Sequence, residues 1–157
     1  MKKVLHLIVM IAMLVMTAGQ AHAQGAGIEW KILNKEVLEL SRTGQYDRAV
    51  TVAKAALEVA EQNVGYYHPH VAVSLNNLAE LYRILGDYAK AEPLYKRSLA
   101  IVEKTLGLEN LAVATSLNNL AVLYDTQGDY AKAEPLYKRS LAIFEKSLGA
   151  EHPDVAT

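Results

Sequence analysis

The stretch Gly86-Asp87-Tyr88-Ala89-Lys90-Ala91-Glu92-Pro93-Leu94-Tyr95-Lys96-Arg97-Ser98-Leu99-Ala100-Ile101 recurs without a change at 128–143. Just upstream, Ser74-Leu75-Asn76-Asn77-Leu78-Ala79 recurs as Ser116-Leu117-Asn118-Asn119-Leu120-Ala121. Both shifts are 42 residues, and the whole of 68–109 matches 110–151 at 31 of 42 positions. A worn copy fills 26–67 and matches the second at nine positions, among them Leu33, Asn34, Gly44, Tyr46, Ala49, Leu57 and Gly65. A fourth begins at His152-Pro153 and occupies 152–157. A fixed period of roughly 20–50 residues marks a solenoid or array, and this reading takes precedence over any other.

Within each copy the apolar period is helical. Val71, Leu75, Leu78, Tyr82 and Leu85 form one stripe; Tyr88, Ala91, Tyr95, Leu99, Val102 and Leu106 form a second. Such spacing places apolar side chains on one face of an α-helix. Leu94 and Ile101 widen the second stripe, so that helix has apolar contacts on two sides. Gly86 breaks the first helix and Asp87 caps the next. Gly107 ends the second, Pro69 suits a helix start, and Asn110 is an N-cap at the same place one copy on. Glu92 with Lys96, and Glu134 with Lys138, make favourable i,i+4 pairs. Pro93 and Pro135 fall inside the second helix, where each removes a hydrogen bond and should bend it.

One helix pair cannot bury two apolar faces alone, so successive pairs must stack. The expected fold is all-α, an α-solenoid of stacked antiparallel helix hairpins. Small residues at Ala79, Ala91, Ala121 and Ala133 let backbones approach. Tyr82, Tyr88 and Tyr95 fill the spaces between helices, with their hydroxyls expected to reach the surface.

The pattern Leu75, Leu78, Ala79, Tyr82, Gly86, Tyr88, Ala91, Tyr95 resembles the tetratricopeptide repeat, as does Leu117, Leu120, Ala121, Tyr124, Gly128, Tyr130, Ala133, Tyr137. The 42-residue period resembles the longer variant of kinesin light chains and of many bacterial proteins. The resemblance covers about 26–157. The first copy departs from it: Glu36 stands at the place of Leu78 and Ala53 at that of Tyr95. It therefore reads as a degenerate, cap-like repeat in which Trp30 offsets part of the lost packing.

Residues 1–23 read differently. Lys2 and Lys3 precede an apolar run from Val4 to Met16, interrupted only by His6, and Ala21-His22-Ala23 closes the segment. A basic start, an apolar core of roughly 7–15 residues and a small-x-small end make a secretory signal. The run is short for a span, which takes about 20 residues. Cleavage is expected between Ala23 and Gln24, giving an exported protein, periplasmic or secreted, with no stable membrane insertion afterwards. Motor-adaptor function does not carry over from the resemblance, because an exported chain is not a cytosolic adaptor.

The chain has no cysteine, which excludes disulfides, thiolate metal sites and a cysteine nucleophile. Sixteen Lys/Arg against seventeen Asp/Glu give a net charge of −1, which argues against a nucleic-acid binder. No nucleophile elbow, phosphate loop or dinucleotide fingerprint is present, and His68-Pro69-His70 reads as a surface turn before it reads as a metal site. The expectation is a protein without catalytic residues, metal or cofactor.

Binding is the better candidate. The face opposite the first-helix stripe carries Val73, Asn76, Glu80, Arg83 and Ile84, and one copy on Thr115, Asn118, Val122, Asp125 and Thr126. Four of the 11 differences between the two copies, at 73, 80, 83 and 84, fall there. That variation fits either a groove tuned to a ligand or an exposed surface tolerant of change. The resemblance implies that this face lines a concave, peptide-binding groove. Asn34, Asn76 and Asn118 repeat along it, and a carboxamide can both donate to and accept from an extended backbone. Asn77 and Asn119 lie beside them and are candidates either for the ligand or for an internal bond. Arg83 and Lys31 are candidates to pair with acidic ligand groups.

Three readings follow. The first is an exported scaffold that holds another protein or a peptide segment in this groove. The second is the N-terminal repeat region of a longer protein whose activity lies beyond residue 157. The third is self-association through an uncapped last helix pair bearing Leu136, Leu141 and Phe144.

Overall fold

The computed structural model describes residues 27–148. The expected signal segment, its Ala23–Gln24 cleavage site and the start of a fourth copy lie outside the described residues. Six helices follow one another: α1 (27–42), α2 (Tyr46–Val64), α3 (Pro69–Ile84), α4 (Tyr88–Leu106), α5 (Leu111–Thr126) and α6 (Tyr130–Leu148). Among the described residues there is no strand.

The turns inside each hairpin are set locally. Gly86 takes φ +78°. Its N–H bonds to the Arg83 carbonyl, and the Asp87 N–H reaches the Tyr82 carbonyl at 2.8 Å. This paired arrangement satisfies the last carbonyls of α3, and its left-handed residue favours glycine. The Asp87 side chain then accepts from the Lys90 N–H and opens α4. The third copy repeats both moves at Gly128 and Asp129. In the first copy Gln45 stands at the cap position and makes no side-chain capping bond. Between hairpins, His68 caps α3 through Nδ1 and Asn110 caps α5 through Oδ1. Pro69 sits at the start of α3, while α4 and α6 run on through Pro93 and Pro135.

The core is continuous along the stack. Ala60, Val71, Leu75, Ile101, Val113, Leu117 and Ile143 belong to one cluster drawn from five helices, and the ring of Trp30 packs against it. Val37, Leu40, Ala49 and Ala53 of the first hairpin close on Leu78 and Leu81 of the second. Ala79, Ala91 and Tyr95 of the second close on Leu120, Leu123 and Tyr124 of the third. α2 buries only alanines, Ala49, Ala53, Ala56 and Ala60, so its backbone can lie close to its neighbours. Buried hydroxyls tie helix to helix: Ser98 Oγ donates to the Ala72 carbonyl at 2.9 Å and Ser140 Oγ to that of Ala114 at 2.8 Å.

Three expectations need correction. Leu85 and Leu106, placed on the buried stripes, are 44% and 40% exposed, because both stand at helix ends beyond the facing hairpin. Leu81, left off the stripe, is 2% exposed, because α3 packs on two sides and Leu81 faces the preceding hairpin. The Tyr95 hydroxyl does not reach the surface; the whole side chain is buried and its hydroxyl donates to Glu80. At the N-terminal end of the stack Glu36 and Glu39 are exposed where Leu78 and Leu81, one repeat on, are buried.

Candidate binding groove

α3 and α5 approach each other directly, whereas no such backbone contact joins α2 to α4 or α4 to α6. The second helices are instead linked by long side chains, Arg97 to Glu61 at 2.6 Å and Arg139 to Glu103 at 2.7 Å, the same pair one repeat apart. The first helices therefore lie on the inner side of the stack. Val73, Ile84, Thr115, Asn118, Asp125 and Thr126 are exposed on that side, and Asn76, Asn77, Glu80, Arg83, Asn119 and Val122 are half-buried.

The asparagines divide by environment. Asn34 is buried; its amide donates to the Trp30 carbonyl and its Oδ1 accepts from Asn77 Nδ2 at 2.9 Å. Asn34 and Asn77 thus take the internal bond that competed with a ligand role for Asn77, and the carboxamide of Asn34 is largely withdrawn from the groove. The repeat places Asn76 opposite Asn119 as Asn34 is opposite Asn77, yet Asn76 Oδ1 is buried with no hydrogen-bond partner. A buried acceptor left unmatched costs about 1–3 kcal/mol. Asn118, one repeat further, is exposed.

The charged groups divide too. Arg83 holds Glu80 through two bonds, Nε to Oε2 at 2.8 Å and Nη2 to Oε1 at 2.6 Å, and Tyr95 adds a third at 2.7 Å. Burial pushes the Glu80 carboxyl up, but the bonds from Arg83 and Tyr95 outweigh it and hold the group below the ordinary carboxylate range. Burial, then the bond to Glu80, pushes the Tyr95 hydroxyl well up. Arg83 is therefore already paired within the chain. The third repeat has the same tyrosine, Tyr137, but Val122 at the glutamate's place and Asp125 at the arginine's. Burial raises the Tyr137 hydroxyl and the Asp125 charge adds to this. Asp125 has no ion pair among the described residues.

The histidines of the His68-Pro69-His70 turn serve structure. His68 caps α3, and the His70 ring stacks on Trp30 with centroids 3.9 Å apart and planes 9° from parallel. Trp30 Nε1 donates to Ser74 Oγ at 2.8 Å, which fastens α1 to α3. Periodicity alone misses this clasp. Its one visible sign is a lone tryptophan in the first copy. Among the described residues no group of three His, Asp or Glu could hold a metal, and no helix is long and apolar enough to cross a membrane.

Stacked helix hairpins with an inner wall of first helices define a solenoid repeat scaffold. The chain belongs to the tetratricopeptide repeat family, whose profile matches 40–104, 71–146 and 112–157. It is of the kinesin light chain-like type. It is similar to BtubC (BKLC) from P. vanneervenii, with 29% identity over 81% of this chain and 51% of that one, at a TM-score of 0.75. It is also similar to a Podosopora anserina kinesin light chain structure with nearly identical TPR-like repeats, with 25% identity over 85% and 62% of the two chains and a TM-score of 0.71. The TPR domain of Arabidopsis FLU shares the fold at 22% identity, covering 78% of this chain and 99% of that domain, with a TM-score of 0.69. The chain spans about half the length of BtubC. No curated protein matches it in sequence. Tetratricopeptide repeats form scaffolds for protein–protein interaction, and the fold is in general non-catalytic.

Proposed function

We propose that the inner wall formed by α1, α3 and α5 binds an extended segment of another protein, and that the segment carries a basic residue seated in the third repeat. The observation that carries this reading is the contrast between Arg83 and Asp125. In the second repeat the chain supplies its own guanidinium to Glu80, which also accepts from the Tyr95 hydroxyl. In the third it supplies an exposed carboxylate beside Tyr137 and leaves the cation to the ligand. An arginine or lysine laid over Val122 would place its head on Asp125 and its stem against the tyrosine ring. The exposed Asn118 would meet the backbone of the same segment.

The test is selection of peptides from a random displayed library on the immobilised chain. Enriched sequences should carry Arg or Lys at one fixed position, and Asp125→Arg should remove that preference without loss of helicity. Asn118→Ala should weaken capture of the enriched sequences without loss of helicity. Enrichment that ignores Asp125 counts against the reading.

The proposed site of action is outside the cytoplasm, on the strength of the Ala21-His22-Ala23 segment and the basic, apolar run before it. N-terminal sequencing of protein recovered from the periplasm or medium should begin at Gln24. A second reading is favoured by Leu141, 41% exposed on α6 where Leu99, its counterpart on α4, is half-buried. A further repeat stacked on α6 would cover it, and BtubC has roughly twice the length matched here. Reading the coding frame past Thr157 tests this, and light scattering distinguishes a second copy as the covering element.

A further inference from the structure

The side of the stack opposite the groove holds a second, smaller feature. An open cleft of about 590 Å³ lies between the end of α2, the α2–α3 loop and α4, lined by Glu61, Tyr66, Tyr67, Arg97, Ala100 and Ile101. That volume falls within the roughly 300–1,000 Å³ of small-molecule sites. Tyr66 and Tyr67 are 64% and 62% exposed. Each carries a cation: the Arg97 guanidinium stands 5.6 Å from the Tyr66 centroid and Lys104 Nζ 4.0 Å from that of Tyr67. Arg97 is also held by Glu61, whereas Lys104 has no acidic partner among the described residues.

The repeat supplies an internal comparison. One copy on, Leu108 and Glu109 occupy the places of Tyr66 and Tyr67, and Lys146 that of Lys104. There Lys146 Nζ bonds to Glu109 at 3.0 Å. The Arg97–Glu61 pair is matched by Arg139–Glu103, so that part of the junction is common to both. The first junction adds two open rings and a lysine without a counter-ion; the second has no ring at either place and neutralises its lysine.

Three features define what fits. The face of a tyrosine ring is negative and attracts C–H groups polarised by neighbouring oxygens. Glu61 beside Arg97 sets an acceptor next to donors, a pairing that hydroxyl groups satisfy because each both donates and accepts. One uncompensated ammonium matches one negative charge. A phosphate ester fits less well: it brings about −1.5 to −2 charges to a single free lysine, and the Glu61 carboxylate repels it.

We infer that this cleft binds a carboxylated sugar of the uronic acid class. The C–H face of its pyranose ring lies on Tyr66 and Tyr67, and its hydroxyls bond to Glu61 and Arg97. Its carboxylate takes on Lys104 the place that Glu109 takes on Lys146. The sugar reaches the cleft either as a free monosaccharide or as one residue of an acidic polysaccharide.

The experiment is isothermal titration calorimetry of the chain with galacturonic acid and with its linear trimer. Saturable binding is expected. A trimer at least tenfold tighter than the monomer assigns the site to a polysaccharide, and a smaller difference assigns it to the free sugar acid. The methyl esters, which keep the ring and lose the charge, should bind at least tenfold more weakly than the acids. Lys104→Ala should lower the acid to the affinity of its ester and leave the ester unchanged. Tyr67→Glu restores the internal ion pair of the next repeat, so it should fold with undiminished thermal stability and yet weaken the acid at least tenfold. Asp125→Ala, in the groove, should leave the sugar's affinity unchanged, so loss of one site is distinguishable from loss of the other. Equal binding by the folded Tyr67→Glu variant, equal binding of the ester, displacement by an equal concentration of inorganic phosphate, or no saturable binding of monomer or trimer would each overturn the proposal.

Discussion

The Asn77 side chain on α3 donates a 2.9 Å hydrogen bond to the carboxamide oxygen of Asn34 on α1, joining the first helices of consecutive repeats. Removing the donor leaves a buried acceptor unmatched. Asn77→Ala should therefore destabilise the chain by about 1–3 kcal/mol. Asn119→Ala should cost less, because the oxygen it would serve, on Asn76, is already without a partner. Chemical denaturation of both variants, with Asn34→Ala to close a double-mutant cycle, measures the difference; equal losses would contradict the clasp.

The single tryptophan of the chain makes the α1–α3 clasp observable. Burial, and then the charges of His68 and Lys31, hold the His70 imidazole below the ordinary histidine range. The folded state thus prefers neutral His70. Its contribution to stability is present above the unfolded value, about 6.5, and is lost as pH falls through the lower folded value. Trp30 emission should shift as α1 loosens on acidification through this window. His70→Phe, which keeps a ring to stack, should abolish that shift; a shift that persists unchanged assigns it to another group.

Glu80 carries the opposite charge type with the same sign of dependence. Arg83 and Tyr95 hold its carboxyl low despite burial, so the contribution is present above about 4.5 and lost as pH falls through the folded value. Tyr95→Phe should raise the Glu80 titration, read by carbon-13 chemical shift, and lower stability by about 0.5–1.5 kcal/mol. Tyr137→Phe should have a smaller effect, since Val122 offers its hydroxyl no acceptor.

Core and surface leucines provide the packing test. Leu78 and Leu120 are each 4% exposed and Leu81 2%. Each Leu→Ala should cost about 2–5 kcal/mol. Leu85→Ala, at 44% exposure, should cost far less. In a solenoid, stability is close to a sum over neighbouring interfaces. Hydrogen exchange should therefore show Leu120→Ala loosening the third hairpin before the first; uniform loosening would argue for one indivisible core.

Much of this was legible before any tertiary information. Gly86 and Gly128 mark the turns because a left-handed residue is needed there. Asp87, Asn110 and Pro69 mark helix starts because they satisfy or forgo the free amides. Glu92–Lys96 and Glu134–Lys138 form as their spacing predicts, at 2.6 and 2.5 Å. Less legible was the second buried face of α3. Val71 and Leu75 pack toward the following helices, while Ser74, Leu78 and Leu81 face the preceding hairpin. Leu94 and Ile101 betray a second apolar side on α4, whereas on α3 the second side is made partly by Ser74, a polar residue that no apolar period marks.

The residues alone fixed what acts within a few positions of itself: where each helix begins and stops, the 42-residue register, and the need for hairpins to seal one another. Only the folded stack distinguished residues the repeat makes equivalent. Asn34 and Asn76 occupy the same register, yet one oxygen accepts a hydrogen bond from Asn77 and the other is buried without a partner. Lys104 and Lys146 likewise match, yet one rests on a tyrosine ring and the other on a carboxylate. Those outcomes depend on contacts between side chains about forty residues apart, set by how one hairpin lies on the next, and no local period encodes that.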